Sequence, residues 1–417
     1  MFQLNQFINT HVTKRNTSMF LPDINNYASR LRSSISNRSI LVIGGAGSIG
    51  SSFIRAILPF RPSSLTVVDI NENGLTELTR DLRSTYNLYM PDNYITYPMD
   101  YASSVFEKMF RVHHGFDIVA NFSAHKHVRS EKDIFSVEAL FRNNVLNAKK
   151  LLDLLELFPP SVYFCVSTDK AANPVNLMGA SKRIMGDLIF SYSDAFPVKT
   201  ARFANVAFSN GSLPDGFLSR IAKSQPLSAP MDVRRYFVSP EESGQICMLS
   251  CMLGENREIF VPKLDESQMM SFDEIARELL AECGYEVLEC EDDEAAKRAA
   301  ANMVSSEDAS GYDAGNDDGT DIVKKYPVHF SKSNTSGEKP YEEFYTEKET
   351  VDLERFESLG VVTGIEKPDR EKLETLLGEM EKLFELDAAK EDVVELVGSY
   401  LPEFSHIETG HSLDEKM

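Results

Sequence analysis

Three groups of residues have types and a spacing that could do chemistry. The first is Gly44-Gly45-Ala46-Gly47-Ser48-Ile49-Gly50, where glycines at 44, 47 and 50 give the pattern GxxGxxG. Glycines so spaced let backbone approach a pyrophosphate closely, and a helix opening there aims its first N–H groups at the negative charge. The second is Asp69, nineteen residues after Gly50 and directly after the apolar run Leu65–Val68. A carboxylate at that place can accept bonds from ribose hydroxyls, and it repels a 2′-phosphate. Ile70 and Asn71 bring no basic group, so NAD is favoured over NADP. The third is Ser167-Thr168-Asp169-Lys170, which puts a carboxyl and an amine side by side after the run Val162–Val166. A surface loop can hold such a pair too, but the carboxyl end of a strand in an open parallel sheet is where ligands bind.

These residues need a scaffold that brings strand ends together. Ser39–Val42 reads as a strand leading into the glycines, and Ile49, Phe53, Ile54, Ile57 and Leu58 follow at helical spacing up to Pro59. Further apolar runs stand at Tyr94–Tyr97, Asp117–Phe122, Val162–Val166 and Glu258–Val261, with a long helical stretch at Val137–Leu157. Strands alternating with helices predict an α/β fold with a Rossmann-type, doubly wound parallel sheet. Ser271–Cys283 reads as an amphipathic helix, and residues 367–400 as charged helix. Glu291–Asp321 is acidic and rich in Ala, Ser, Gly and Asp, and reads as a surface insertion with helix near Glu294–Asn302. No metal site is expected. Cys247 and Cys251 lack a completing pair or His, and Cys283 and Cys290 are too far apart for one turn.

Twelve residues after Lys170 comes Lys182, within Met178-Gly179-Ala180-Ser181-Lys182, and this stretch resembles the YxxxK signature of short-chain dehydrogenase/reductases. The chain resembles an extended member of that superfamily, and within it the UDP-N-acetylglucosamine 4,6-dehydratases of the polysaccharide-biosynthesis group. The segments that carry the resemblance are NFSAHKHVRSE (121–131), NNVLNAK (143–149), STDKAANPVNLMGASK (167–182), RFANVAFSNGS (202–212), RRYFVSPEE (234–242) and GEKPYEE (337–343). In many relatives an Arg-Pro precedes the last of these; here Thr335-Ser336 stands before Gly337.

The resemblance implies a redox-neutral dehydration. Hydride leaves sugar C4, a base takes the C5 proton, an acid protonates the departing C6 hydroxyl, and hydride returns to C6. Asp169 would be that acid, if burial raises its pKa, and Lys170 the C5 base, if its surroundings lower its own. Lys182 would hold the nicotinamide ribose and favour deprotonation of the C4 hydroxyl, which Thr168 would bond. Met178 stands where the superfamily has a catalytic Tyr, and a thioether cannot take a proton. Asp169 acting through Thr168, or a water, are the candidates for that step. Gly44, Gly47, Ser48, Ile49, Gly50, Asp69, Asp100, Ala124 and Lys182 would bind the cofactor. Lys126, Asn205, Ser212 and Arg235 would bind substrate, with Arg234 able to replace Arg235. The expected substrate is a UDP-linked amino sugar, with a GDP-linked one as alternative. A C4 epimerase or dehydrogenase of the same superfamily, and a non-catalytic NAD- or sugar-nucleotide-binding protein, are the rival readings.

The organisation that follows is an N-terminal extension (1–36), an NAD-binding domain (37–205), a substrate-binding region (206–350) that returns in part to the first domain, and a helical acidic tail (351–417). Of the 417 residues, 42% are hydrophobic, including 26 Phe and 15 Tyr, which excludes wholesale disorder. The net charge of −21 is unevenly spread: residues 1–260 hold 27 basic and 23 acidic residues, and residues 261–417 hold 16 and 41. Nucleic-acid binding is disfavoured, while the near-neutral part can take an anionic ligand locally. The acidic C-terminal third reads as solvated exterior. No apolar run reaches 18 residues, so no membrane insertion is expected, and the five cysteines form no disulfide framework. A cytoplasmic homo-oligomer is expected, packing through Val137–Leu157 and Lys182–Ser193.

Overall fold

The computed structural model describes residues 2–127, 131–310, 324–333, 339, 341, 343–386 and 388–408, with side chains described only to residue 304 in the second of these stretches. Most of the GEKPYEE stretch and Thr335-Ser336 lie outside the described residues.

The chain opens with α1 (Leu4–Phe7), which runs into a π-helical turn, then α2 (Leu21–Asn26) and α3 (Ala28–Ile35). Alternation follows: β1 (Ser39–Ile43), α4 (Ser48–Ile57), β2 (Ser64–Asp69), α5 (Glu72–Ser84), β3 (Asn93–Pro98), α6 (Ser104–Val112), β4 (Ile118–Asn121), α7 (Ile134–Phe141), α8 (Asn147–Leu157), β5 (Val162–Thr168), α9 (Leu177–Ser191) and β6 (Val198–Phe203). Next come β7 (Asn205–Val206), α10 (Leu213–Ile221), β8 (Leu227–Pro230), β9 (Arg234–Val238), α11 (Pro240–Leu253), β10 (Glu258–Pro262), β11 (Met269–Ser271), α12 (Phe272–Glu282), β12 (Tyr285–Glu289) and α13 (Asp293–Ser310). The last elements are β13 (Lys324–Ser331), β14 (Thr350–Asp352), β15 (Leu359–Thr363), α14 (Arg370–Glu385) and α15 (Lys390–Tyr400).

The main sheet runs β14-β15-β10-β6-β5-β4-β1-β2-β3. From β3 to β10 every pairing is parallel; β15 and β14 close one edge antiparallel. The central strands are buried on both faces, which explains their unbroken apolar runs, and the two faces are packed by separate apolar clusters. The expected Rossmann-type architecture is therefore present. Strand order reverses between β1 and β4, and a crevice opens outside the carboxyl ends of the strands at such a switch point.

Two small sheets, β11-β9-β7 and β12-β13-β8, form a second lobe with α10 and α12 around Phe217, Phe237, Ile275, Leu279 and Tyr326. The N-terminal extension spans both lobes. Phe7, Ile8 and Val12 are buried in the second lobe, and Phe20, Leu31 and Ile35 in the first. Arg15 reaches the Glu242 carboxylate with two bonds, of 2.8 and 2.7 Å, and Glu242 in turn completes the capping box of α11. Asp23, also buried, accepts the backbone amides of Glu357 and Ser358 at 2.7 and 2.9 Å.

Three expectations are corrected. The acidic C-terminal tail is not simply solvated exterior. Leu373, Leu376, Leu377, Met380, Val393, Val397 and Leu401 of α14, α15 and the turn after them join the core beside α8 and α9. Charge sits on the outward faces of these helices while apolar residues repeat on the inward face, so net charge alone misread them. Part of the face expected to meet another subunit is thus covered by the chain itself: Arg370 pairs with Glu156 of α8 and stacks on Tyr192 just after α9. The insertion is not wholly surface either. Ala296 and Ala300 of α13 are buried, and Asp293 meets His329 of β13 at 2.6 Å.

Candidate active site

The crevice at the switch point collects the first set of predicted residues. Gly44 ends the turn of β1 with φ +72°, a left-handed backbone that favours glycine, and a Cβ there would come within 2.7 Å of the Ser123 nitrogen. Gly50, in the first turn of α4, lies so close to the Gly44 carbonyl that a Cβ would sit 2.3 Å from it. Gly47 is the N-cap of α4, and Ser48 and Ile49 form its first turn. Asp69 ends β2, where its carboxylate accepts the Ala46 amide at 3.0 Å and the Asn71 amide at 2.9 Å. Asp100 stands exposed after β3 and Ala124 in the loop after β4. A bare backbone turn, a helix N-terminus and a carboxylate at the second strand's end are a donor and acceptor set that suits a dinucleotide.

The second set stands at the end of β5. Thr168 closes the strand, and Asp169–Ala171 make one 3-10 turn. Asp169 is buried, and its Oδ1 accepts the Thr168 hydroxyl at 2.7 Å, the Lys170 amide at 2.9 Å and the Lys170 Nζ at 3.1 Å. The Thr168 hydroxyl and both nitrogens of Lys170 therefore converge on one oxygen.

Lys182 stands in the second turn of α9. It is buried, and its Nζ lies 3.3 Å from the Val166 carbonyl and 3.6 Å from the Met185 sulfur, turned in against β5. Burial pushes its pKa down to about 8. Met178 is also buried, within the apolar cluster on that face of the sheet, which suits a thioether. His125 is exposed at the rim, yet desolvation by its surroundings and the nearby Lys182 charge hold its pKa below the usual imidazole value.

Lys126 leaves the same loop and spans to the second lobe, its Nζ bonding the Asn210 carbonyl at 3.0 Å; desolvation lowers its pKa. Ser48 also reaches that segment, accepting the Asn210 amide at 2.9 Å. Ser212 caps α10. Asn205 lies in β7, paired with Phe237 of β9. Arg235, in β9, is buried and donates to the Arg234 and Lys339 carbonyls, whereas Arg234 is exposed and donates to Met269. The residues expected to bind a dinucleotide and the STDK turn thus belong to the first lobe. The substrate candidates other than Lys126 belong to the second.

Two residues had no assigned role. Asn144 is buried in a π-helical turn; its amide group exchanges bonds with the His125 backbone at 2.8 and 2.9 Å and donates to Ser181 at 3.0 Å. It ties the loop after β4 to α9. Two adjacent asparagines inside an apolar helical pattern are the sequence signal, since Asn disfavours helix interiors. Glu131 is buried too and accepts the amides of Leu177 and Met178 at 3.0 and 3.4 Å. Behind the STDK turn, a cavity of about 720 Å³ runs between α9, β6 and residues 343–350. Ser167 and Lys182 are among its lining residues, as are Arg202 and Glu349, which are joined by two bonds of 2.8 Å.

Among the described residues there is no group of three or more metal-ligating side chains, and no helix long and apolar enough to cross a membrane.

Known proteins with similar sequences bear on this site. An uncharacterized membrane protein of Methanocaldococcus jannaschii is 29% identical, with the match covering 78% of this chain and 86% of that one. The probable polysaccharide biosynthesis protein EpsC of Bacillus subtilis is 27% identical over 62% of this chain, but only 42% of EpsC is matched. A Campylobacter jejuni protein named UDP-N-acetylglucosamine 4,6-dehydratase (inverting) is 26% identical over 65% of this chain and 79% of its own length. Among solved structures, Pen from Bacillus thuringiensis superposes with a TM-score of 0.58 at 18% identity, covering 83% of this chain and 98% of Pen. Residues 40–300 match the family described as "Polysaccharide biosynthesis protein". That match takes in more than half of the chain, and it shows that the protein belongs to this family, here on a Rossmann-type α/β fold.

Proposed function

We propose that the protein is an NAD-dependent nucleotide-sugar 4,6-dehydratase that converts UDP-N-acetylglucosamine to a UDP-4-keto-6-deoxy-N-acetylhexosamine. The observation that carries this reading is the Asp169–Lys170 pair, an acid and a base in one turn at the carboxyl end of β5, beside the dinucleotide crevice. The name of the Campylobacter jejuni relative supports the reaction and the substrate.

Gly44, Gly47, Gly50 and the first turn of α4 would hold the pyrophosphate, with Asp69 on the adenosine ribose. The carboxylate of Asp69 favours NAD over its 2′-phosphorylated form. When bound there, NAD supplies a hydride acceptor for C4 and a hydride donor for C6. Thr168 bonds the C4 hydroxyl. As hydride leaves C4, the hydroxyl proton passes through Thr168 to Asp169, whose Oδ1 lies 2.7 Å from the Thr168 hydroxyl, leaving Lys170 as the free amine and Asp169 as the neutral acid. These are the base that removes the C5 proton and the acid that protonates the C6 hydroxyl as it leaves as water. Lys170 returns its proton to C5 as hydride reaches C6. Asn205, Ser212 and Arg235 hold the substrate's diphosphate side, and Lys126 joins the lobes over it.

The test is to incubate the purified protein with UDP-N-acetylglucosamine and read the product by NMR, with the GDP-linked sugar in parallel. A 4-keto-6-deoxy product carrying deuterium at C5 in D₂O is expected. A C4 epimer without C5 exchange would replace this reading by epimerisation.

A further inference from the structure

A buried carboxylate that the proposed chemistry does not use sits where three segments meet. Glu131 follows the loop after β4, and both of its oxygens accept backbone N–H groups of the first turn of α9, from Leu177 and Met178. Asn176 caps the next N–H, that of Gly179, at 2.7 Å. The third segment comes from the far end of the chain. His406 contacts Glu131 Oε2 through its Nε2 at 3.2 Å, and the Ile407 amide donates to the Val175 carbonyl at 2.9 Å. The segment is anchored on the way: Tyr400 bonds Asp187 of α9 at 3.4 Å, and Leu401 is buried in the core.

The turn held in this way backs the STDK residues. Gly179 lies so close to the Lys170 carbonyl that a Cβ would come within 2.5 Å of its oxygen. A shift of the first turn of α9 is therefore transmitted by contact to the Asp169–Lys170 turn. Catalytic groups misplaced by about 1 Å can lose on the order of 100-fold in rate.

We propose that residues 400–408 are a positioning strap, and that His406 is a positioning residue acting through Glu131 on the first turn of α9 and so on Asp169 and Lys170. This rests on the dehydratase reading for its kinetic effect, but its structural half is independent of it. A helix start held by an acceptor needs that acceptor kept in place. His406 does this from a segment with no place in the sheet, and its ring is only 11% exposed.

The experiment compares the full chain with His406→Ala, His406→Gln and Glu131→Gln, each checked for an unchanged near-UV CD spectrum and melting temperature. Hydrogen exchange at residues 176–180 is read first and needs no substrate. His406→Ala is expected to lose protection there at least fivefold, and His406→Gln, which keeps a donor, to restore it. With UDP-N-acetylglucosamine, His406→Ala is expected to lower kcat at least tenfold with KM for the sugar nucleotide changed less than threefold. Equal protection of this turn in His406→Ala and the native chain would overturn the strap. Loss of protection with kcat unchanged would overturn the link to Asp169 and Lys170. No turnover by the native chain would count against the dehydratase reading alone, because the exchange result stands without it.

Discussion

Lys170 Nζ lies 3.1 Å from the same Asp169 oxygen that accepts the Thr168 hydroxyl at 2.7 Å. The amine and the carboxyl share one atom, so neither group can be altered without disturbing the other. Asp169→Asn and Lys170→Ala should each lower kcat by roughly 10²–10⁴-fold, the usual worth of a placed acid or base. NADH fluorescence should show cofactor binding within a factor of three in both variants. Cofactor binding lost along with turnover would mean that the pair supports the crevice and is not confined to the chemistry.

The buried amine of Lys182 makes a prediction about pH and stability. Its folded pKa of about 8 is below the ordinary lysine value of 10.5. Between those values the unfolded chain keeps a proton that the folded protein has released, so this residue makes stability rise with pH across that window. Below about pH 8 the folded protein carries the buried charge, at a penalty of roughly 3 kcal/mol, since one pH unit is worth about 1.4 kcal/mol. Lys182→Met should therefore be the more stable protein at pH 7, and urea unfolding should show its advantage shrinking towards pH 10. An advantage independent of pH would point to packing instead.

The glycine turn can be tested against a helix glycine with open space. Gly44→Ala should strain a left-handed backbone and drive a methyl into the Ser123 nitrogen. Dinucleotide affinity should fall at least tenfold by fluorescence titration. Gly186→Ala, where a Cβ meets nothing within 4 Å, should leave affinity unchanged and stabilise α9 by roughly 0.5–1 kcal/mol. Equal effects of the two would argue against a close approach of ligand to the turn.

Arg15 and Glu242 form an ion pair whose side chains are 13% and 2% exposed. Arg15→Met should cost about 3–5 kcal/mol in chemical denaturation, because it leaves a buried carboxylate without its partner. Adding Glu242→Gln to that variant should recover part of the loss. A double variant as unstable as the sum of the singles would show that the two side chains act independently.

The main sheet was legible because its strands are short apolar runs with helices between them, and Gly44 to Gly50 and Asp69 fell at the ends of such runs. The STDK turn was legible for the same reason: Val162–Val166 points to it. What the sequence hid depends on distance along the chain. His406 lies in a polar tail, and nothing local to it marks Glu131 as its neighbour. Arg15 reads as one more cation in an extension without chemistry, although it meets Glu242 across 227 positions. Lys182 was placed by its motif, but the direction of its amine is set by Val166 and Met185. The tail was misjudged because charge was summed over a whole segment, while burial is decided one helix face at a time.

Asp23 finds its partners at Glu357 and Ser358, more than 330 residues later. A ribosome adds roughly 5–20 residues per second, so Asp23 waits about a quarter of a minute to a minute for those amides to appear. Through that interval the parallel strands already made lack their antiparallel edge, and the apolar residues of α2 and α3 have only part of their final cover. The clasp between Asp23 and residues 357–358 therefore closes late in synthesis, with α14, α15 and residues 400–408 still to dock after it.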